Sequence, residues 1–291
     1  MNKKIFALGF FDGVHLGHQA LLNTCVGLAR ELGAQSAAIT FEKHPKALFL
    51  PTPPALINSI EDRKALLRSY GMEQLLVLSV TRESMAQPWQ DFLEELCVDG
   101  AVGFVCGDDF RFGHKGEGNA EKLRAFCKEK GLPCVIVPEQ TLDGIRISST
   151  YIRSLIEEGD MEAAAKFLGH PHILSGEVVH GRHLGRTIGV PTANILIPEG
   201  VAVPKLGVYA CTCIVDGKKY VAVTNIGSRP TVQGHQVRAE SWILDFDGDL
   251  YNDRITLQFH KFLRPEQKFP SLEELKTQIH QDAATARNML K

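Results

Sequence analysis

Apolar and polar positions follow two different rhythms along the chain. In the first half, short apolar runs alternate with stretches of helical spacing. Lys4 to Leu8 predicts a strand, after which Leu21, Cys25, Leu28 and Leu32 recur at helical spacing until Gly33. Gln35 to Phe41 predicts a second strand. Ser59, with Asp62 three residues on, caps a helix that runs through Tyr70 to Gly71. Leu75 to Val80 predicts a third strand, Pro88 to Val98 a helix, and Ala101 to Cys106 a fourth strand. Asn119 opens a helix to Gly131, and Cys134 to Val137 is the fifth strand. Apolar strands separated by helices predict a parallel sheet covered on both faces.

Near Ile147 the rhythm changes. Ser148-Ser149-Thr150 supplies cap hydroxyls for a helix to Gly159, and Met161 to Leu168 is a second short helix. His170-Pro171-His172 does not continue it easily, which puts a boundary there. Beyond it, strands follow one another without helices between them. Tyr209 to Val215 and Lys219 to Thr224 flank Asp216-Gly217, a dipeptide suited to a hairpin turn with positive φ. Val237 to Phe246 and Arg254 to Phe259 are two more strands, and Ser271 with Glu274 forms a capping box for a helix to about Met289. The expected fold is a parallel α/β domain followed by a small antiparallel β-barrel with a terminal helix.

Composition narrows the class. The chain has 291 residues, which suggests about two domains. Lys+Arg count 32 and Asp+Glu 34, so the net charge is 32 − 34 = −2. That balance lacks the basic surplus of a nucleic-acid binder. With 44% apolar and 23% charged residues the composition is that of a globular protein, and no apolar run approaches the roughly 18 residues of a membrane span. The apolar start, Ile5 to Phe11, is interrupted by Asp12 and His15 before it can serve as a signal peptide. Seven scattered cysteines, with Cys211 and Cys213 only one residue apart, fit buried reduced thiols better than a zinc knuckle or a disulfide framework. A cytoplasmic location is expected.

The first strand runs into Gly9-Phe10-Phe11-Asp12-Gly13-Val14-His15-Leu16-Gly17-His18. Glycines between a first strand and a first helix let the backbone approach a phosphate at the helix N-terminus. The spacing is not that of a dinucleotide-binding fingerprint. It offers two imidazoles three residues apart, with Gly17 leaving room between them, suited to stabilising a phosphoryl group in its transition state. The plainer alternative is a pair of ordinary exposed histidines. Later, Ser149 and Thr150 present hydroxyls and N–H groups at a helix start, and Arg146 and Arg153 add positive charge for phosphates. Asp109 could accept a hydrogen bond from a nucleotide or orient a metal-bound water. Phe110 and Phe112, alternating around Arg111, fit either a ligand platform or packing beneath the loop.

In the second half the densest stretch is Gly176 to Asn194. Gly181 to Thr187 superficially suggests a Walker A loop, but the glycines are one residue too close and Arg186 stands where Lys is needed. A glycine-rich arch still cradles phosphates through its N–H groups. Thr192 and Asn194 in an extended segment point the same way and offer the hard oxygen ligands that Mg²⁺ on a nucleotide requires. Asp245, Asp247 and Asp249 mimic the start of a calcium loop, but Leu250 and Thr256 stand where Gly and Glu are required. A solvated acidic turn is expected there.

His15-Leu16-Gly17-His18 resembles the H-x-G-H signature of the nucleotidylyltransferase superfamily, which class I aminoacyl-tRNA synthetases share. The surrounding Gly9-x-Phe11-Asp12-Gly13 is similar to bacterial FMN adenylyltransferases. Phe41-Glu42-Lys43-His44-Pro45, Gly107-Asp108-Asp109-Phe110-Arg111-Phe112-Gly113 and Arg146 to Thr150 with Arg153 agree with that family in order. The loop His114 to Gly118 departs from it, with Glu117 in a segment the family often makes basic. Gly176 to Asn194 resembles the riboflavin kinase signature, with Pro191-Thr192-Ala193-Asn194 intact. Gly207-Val208-Tyr209, the segment Asn225 to Thr231, and Glu240 with Leu244 to Tyr251 also match, while Trp242 replaces a His common two residues after the Glu.

The chain thus resembles the bacterial bifunctional riboflavin kinase/FMN adenylyltransferases, often called FAD synthetases, over nearly its whole length. The resemblance implies a Rossmann-like nucleotidylyltransferase domain over 1–157, a helical linker over 158–171 and a riboflavin kinase barrel over 172–291. It implies that His15, His18 and Glu240 are catalytic. ATP of the adenylyltransferase would meet Gly9, Phe11, Asp12, Gly17, Asp109, Arg146, Ser149, Thr150 and Arg153. ATP of the kinase would meet Gly181, Gly185, Arg186, Pro191, Thr192 and Asn194, with Mg²⁺ held by Thr192 and Asn194. Flavin would meet Phe41, His44, Phe110, Arg111, Tyr209 and Arg264. The implied partners are riboflavin, FMN and ATP, with no nucleic acid or membrane; the oligomeric state is open. Two rival readings are one active domain beside a flavin-binding regulatory module, and a synthetase-like RNA enzyme. Against the latter, Ile147-Ser148-Ser149-Thr150 lacks the lysines of K-M-S-K-S.

Overall fold

The computed structural model describes residues 2–181, 189–231 and 234–290. The chain forms two compact units, Met1–Leu56 with Ile60–Ser149, and Ile57–Ser59 with Thr150–Lys291.

In the first unit, β1 (Lys4–Leu8), β2 (Gln35–Phe41), β3 (Gln74–Leu78), β4 (Ala101–Gly107) and β5 (Cys134–Val137) form one parallel sheet in the order β3-β2-β1-β4-β5. Successive side chains of a strand point to opposite faces. Accordingly Ile5 and Ala7 pack with Leu21, Leu22, Cys25 and Leu67, while Phe6 and Leu8 pack with Leu93, Leu96, Leu123 and Phe126. The helices that supply those partners are α1 (Leu16–Glu31), α2 (Ile60–Ser69), α4 (Trp89–Val98) and α5 (Ala120–Lys130). Asn119 accepts the Lys122 amide and Gly131 adopts the left-handed conformation at the other end, as the cap residues predict. Strand β3 ends two residues before the expected Val80. The intervening polar stretch instead makes a short α3 (Arg82–Ala86), opened by a reciprocal capping box between Thr81 and Ser84.

A two-strand ribbon, β6 (Thr141–Leu142) and β7 (Ile145–Arg146), was not expected. It turns on Asp143 and Gly144 at φ 52° and 76°, the same Asp-Gly chemistry as the larger hairpin but with arms too short to show a pattern.

The helix α6 (Ser149–Glu158) leads into the second unit, followed by α7 (Met161–Leu168). Strands β8 (His172–Glu177), β9 (Ala193–Leu196), β10 (Gly207–Val215), β11 (Lys218–Thr231), β12 (Gly234–Ile243) and β13 (Arg254–Arg264) form an antiparallel sheet in the order β8-β13-β10-β11-β12-β9. The sheet curls almost shut: Val179, just past β8, bridges Asn194 of β9. Gly176 permits that approach, since a Cβ there would stand 3.1 Å from the Ile195 Cβ. Asp216 and Gly217 take φ 48° and 77° in the β10–β11 turn. Strand β12 stops at Ile243 because Asp245 adopts φ 60° and pairs with Arg287. That arginine lies on α8 (Leu272–Met289), whose Ala283 and Ala286 pack on β10 and β11. Strands β8 and β9 have no counterpart in the sequence-based elements. All seven cysteines are free, Cys211 and Cys213 both buried on one face of β10. Among the described residues no helix is long and apolar enough to cross a membrane.

Candidate active sites

The first site forms where the strand order of the parallel sheet reverses. β1 has β2 on one side and β4 on the other, and such a switch point opens a crevice beyond the strand C-termini. The chain leaves β1 at Gly9, where a Cβ would stand 2.8 Å from the Phe11 ring. Phe11 is held at φ 58° with its ring fully buried, so it shapes the loop from beneath. Asp12 to Val14 make a single 3₁₀ turn, and Asp12 is buried.

His15 caps α1. Its Nδ1 accepts the His18 amide N–H at 3.3 Å, which in the neutral ring leaves the proton on Nε2. The His18 ring stacks on it, centroids 3.6 Å apart and planes within 14°. Gly17 makes room: a Cβ there would stand 3.3 Å from the His15 Nδ1. Burial, then the neighbouring His15 and Arg63, hold His18 well below the usual histidine range, so it is neutral at pH 7. Ser149 Oγ donates to the Asp12 carbonyl at 3.0 Å, tying the late Ser-Ser-Thr segment to this turn. Ser149 is the first residue of α6, and Thr150 and Arg153 lie on its first turns.

Around this centre the other expected residues fall into three groups. Arg146, at the end of the β6–β7 ribbon, bonds Asp109 at 2.7 Å and Glu139 at 2.9 Å, and all three side chains are solvent-exposed. Phe41 ends β2, and His44 caps the next turn by accepting the Lys46 amide at 3.0 Å. Both rings neighbour Phe10, at 6.2 and 5.2 Å. Phe110 is half-buried and stacks with the buried Phe112 at 5.8 Å, while Arg111 is exposed.

The second site lies on the barrel. Glu240 on β12 stands opposite Asn194 on β9 and opposite Asn225 on β11. Residues paired across antiparallel strands project to the same face, so the three form one row. Asn194 is buried; its amide donates to the Thr192 carbonyl at 3.4 Å, and its Oδ1 has no hydrogen-bond partner among the described residues. Gly181 closes over it, since a Cβ there would stand 2.8 Å from the Asn194 amide nitrogen. Asn225 donates to Glu266 at 3.1 Å. Pro191 is exposed and Thr192 half-buried at the entry to β9. Gly185 and Arg186 lie outside the described residues.

Tyr209 and Arg264 stand apart from that row. The Tyr209 ring is fully buried between Phe259 and Phe262, and its hydroxyl donates to the Lys205 carbonyl. Arg264 forms a two-pronged ion pair with Asp282 of α8, at 2.8 to 3.1 Å. Tyr209 thus packs in the barrel core, and Arg264 ties β13 to α8. Two residues that stand beside these sites are absent from the sequence-based set: Asn225, in a matched segment but not singled out, and Arg63, whose charge neighbours His18. The signal for Arg63 is a charge at i+3 on the stripe of Ile60 and Leu67 that α2 turns inward.

Comparison with known proteins agrees with this division. Residues 1–151 match the FAD synthetase family model and residues 168–290 the riboflavin kinase model. The bifunctional riboflavin kinase/FMN adenylyltransferase of Pseudomonas fluorescens is 38% identical over 97% of this chain and 92% of its own length. Those of Listeria monocytogenes and Bacillus subtilis are 36% and 35% identical, over 98% of this chain and 91% and 92% of theirs. A crystal structure from Streptococcus pneumoniae, described as a macrolide-efflux protein, is 32% identical with a TM-score of 0.87, covering 99% of this chain and 94% of that one. It shares the fold. The chain belongs to the bifunctional riboflavin kinase/FMN adenylyltransferase family.

Proposed function

We propose that the chain makes FAD from riboflavin in two ATP-dependent steps, one in each unit. We assign adenylyl transfer to 1–157 and riboflavin phosphorylation to 172–291, with 158–171 as the connection, in the cytoplasm, where thiols stay reduced. The observation that supports this reading is one candidate site in each half: the stacked His15 and His18 in one, and the Asn194–Glu240–Asn225 row in the other.

In the second unit, Glu240 accepts the proton of the riboflavin 5′-hydroxyl as its oxygen attacks the γ-phosphorus of ATP, and ADP leaves. The orphaned Oδ1 of Asn194 is the hard oxygen a divalent cation seeks. With Thr192 it would hold Mg²⁺, which when bound neutralises phosphate charge. The Gly181 backbone, already against Asn194, would border the nucleotide phosphates.

In the first unit, a phosphate oxygen of FMN attacks the α-phosphorus of a second ATP and pyrophosphate leaves. His15 offers Nε2–H to the charge that develops there, and the neutral His18 a second imidazole beside it. Neither residue forms a covalent bond to substrate. The Gly9-to-Gly17 loop and Ser149 border the phosphates at the start of α1, and Phe41 and His44 flank the flavin. Incubating the chain with riboflavin, ATP and Mg²⁺ and separating the products tests the reading. FMN followed by FAD is expected; FMN that accumulates without FAD would make the first unit a binding module.

A further inference from the structure

The first unit buries one cation that none of the family motifs contains. Arg63, from α2, has no solvent exposure at all. Its Nη1 donates to the Phe41 carbonyl at 2.8 Å, to Thr40 Oγ1 at 3.1 Å and, more weakly, to the Phe10 carbonyl at 3.4 Å. Thr40 Oγ1 itself donates to that Phe10 carbonyl at 2.7 Å. The guanidinium also lies 4.6 Å from the centre of the Phe10 ring. These carbonyls sit at and just beyond the ends of β1 and β2, where ladder partners run out and each needs another donor.

The arrangement is expensive for a merely structural residue. Nε and Nη2 are buried with no hydrogen-bond partner among the described residues. Dehydrating a charge so incompletely bonded is unfavourable, whereas a methionine of similar length would fill the space without that penalty. What the planar fork adds is fixed direction. It ties two strand ends to each other, and Asp12 contributes the compensating negative charge.

The segments tied together lead straight into the site. Phe10 is followed by Asp12 and the His15–His18 stack, and Phe41 by His44, whose ring meets that of Phe10 edge-on at 5.2 Å. We propose that Arg63 is a positioning residue for FMN adenylylation: by clamping the ends of β1 and β2 it sets the His15–His18 pair and the Phe10, Phe41 and His44 wall in the geometry the reaction needs. This rests on the adenylyltransferase reading of the first unit. His18 is faced by His15 from its own helix, by Arg63 from α2 and by the edge of the Phe11 ring, so the Arg63 charge also reaches the imidazole.

The test compares Arg63→Met, Arg63→Lys and Thr40→Val with the parent full-length chain. kcat and KM are measured for FMN and ATP in FAD formation, across about pH 5 to 8, with riboflavin phosphorylation by the same preparations as the reference. Arg63→Met should lower kcat for FAD formation on the order of 100-fold, the scale set by an ångström-sized misplacement, while riboflavin phosphorylation stays at the parent rate. The acid limb of its profile should move to higher pH, because a cation that disfavours protonated His18 is gone. Arg63→Lys keeps the charge but not the fork, so kcat should fall while the limb stays. Loss of packing alone would not separate rate from limb in this way. If Arg63→Met does not fold, Thr40→Val decides, and a several-fold fall in kcat is expected from it. Folded variants with the parent's kcat and acid limb would overturn the inference; a parent chain that makes no FAD from FMN would overturn the adenylyltransferase reading beneath it.

Discussion

Glu240 stands directly across the β9–β12 ladder from Asn194. Such pairs hold their Cβ atoms about 5 Å apart on one face, so the proposed base and the proposed metal ligand are set by strand register, not by loop conformation. Replacing Glu240 by Gln keeps the shape and removes the proton acceptor. Riboflavin phosphorylation should fall by about 100-fold or more, while FMN adenylylation by the same preparation stays at the parent rate. A parent-like kinase rate in Glu240→Gln would show that the proton leaves by another route.

The neighbouring glycine makes a sharper demand. A Cβ at Gly181 would press to 2.8 Å on the Asn194 amide nitrogen and 3.2 Å on Oδ1. Gly181→Ala should therefore displace the amide that we assign to Mg²⁺ and raise the ATP and Mg²⁺ concentrations needed for half-maximal riboflavin phosphorylation by tenfold or more, roughly the effect of one lost charge-assisted contact. The adenylylation kinetics serve as the internal control. Unchanged Mg²⁺ dependence would remove Asn194 from the metal site.

In the first unit the stacked histidines give a matching prediction in the other direction. His18→Ala should cut FMN adenylylation by about 100-fold or more, the usual effect of losing one preorganised donor, and leave riboflavin phosphorylation intact. Gly17→Ala tests the stack without deleting it. Its Cβ would stand 3.3 Å from His15 Nδ1, so the ring must give by a few tenths of an ångström. A smaller loss, in kcat and not in KM for FMN, is expected from steady-state measurements. Equal kcat in Gly17→Ala and parent would mean the reaction tolerates a shifted His15.

Much of this was legible in the residues. The parallel sheet follows from apolar runs such as Ile5 to Leu8, and the barrel hairpin from Asp216-Gly217. Strand β8 was not legible because His172 and Ser175 lie on its buried positions and break the apolar pattern. Strand β9 was hidden inside the segment read for phosphate binding. Motif matching also says that a residue belongs to a segment, not which way its side chain turns: Phe11 and Tyr209 both point into the core. Arg63 escaped because a charge between Asp62 and Lys64 reads as a solvated face, although it lies three residues after Ile60 and four before Leu67 on the stripe that α2 turns inward.

His172 couples the second unit to pH. Its ring is buried beside Phe259, with neither nitrogen hydrogen-bonded among the described residues. Burial, helped by His170, pushes it down to about 3 from the ordinary value near 6.5. Between those values the unfolded chain holds a proton that the folded barrel does not, so stability rises with pH across this window. The contribution is complete above about pH 6.5 and is lost as pH falls toward 3. Going from pH 7 to pH 5 should cost about 2 kcal/mol from this residue, at 1.4 kcal/mol per unit below 6.5. Urea unfolding at the two pH values, read from Trp242 of the barrel in a Trp89→Phe background, measures it. His172→Phe keeps an aromatic ring against Phe259 and should lose about 2 kcal/mol less than the parent on acidification. An identical loss in both would place the acid sensitivity elsewhere in the unit.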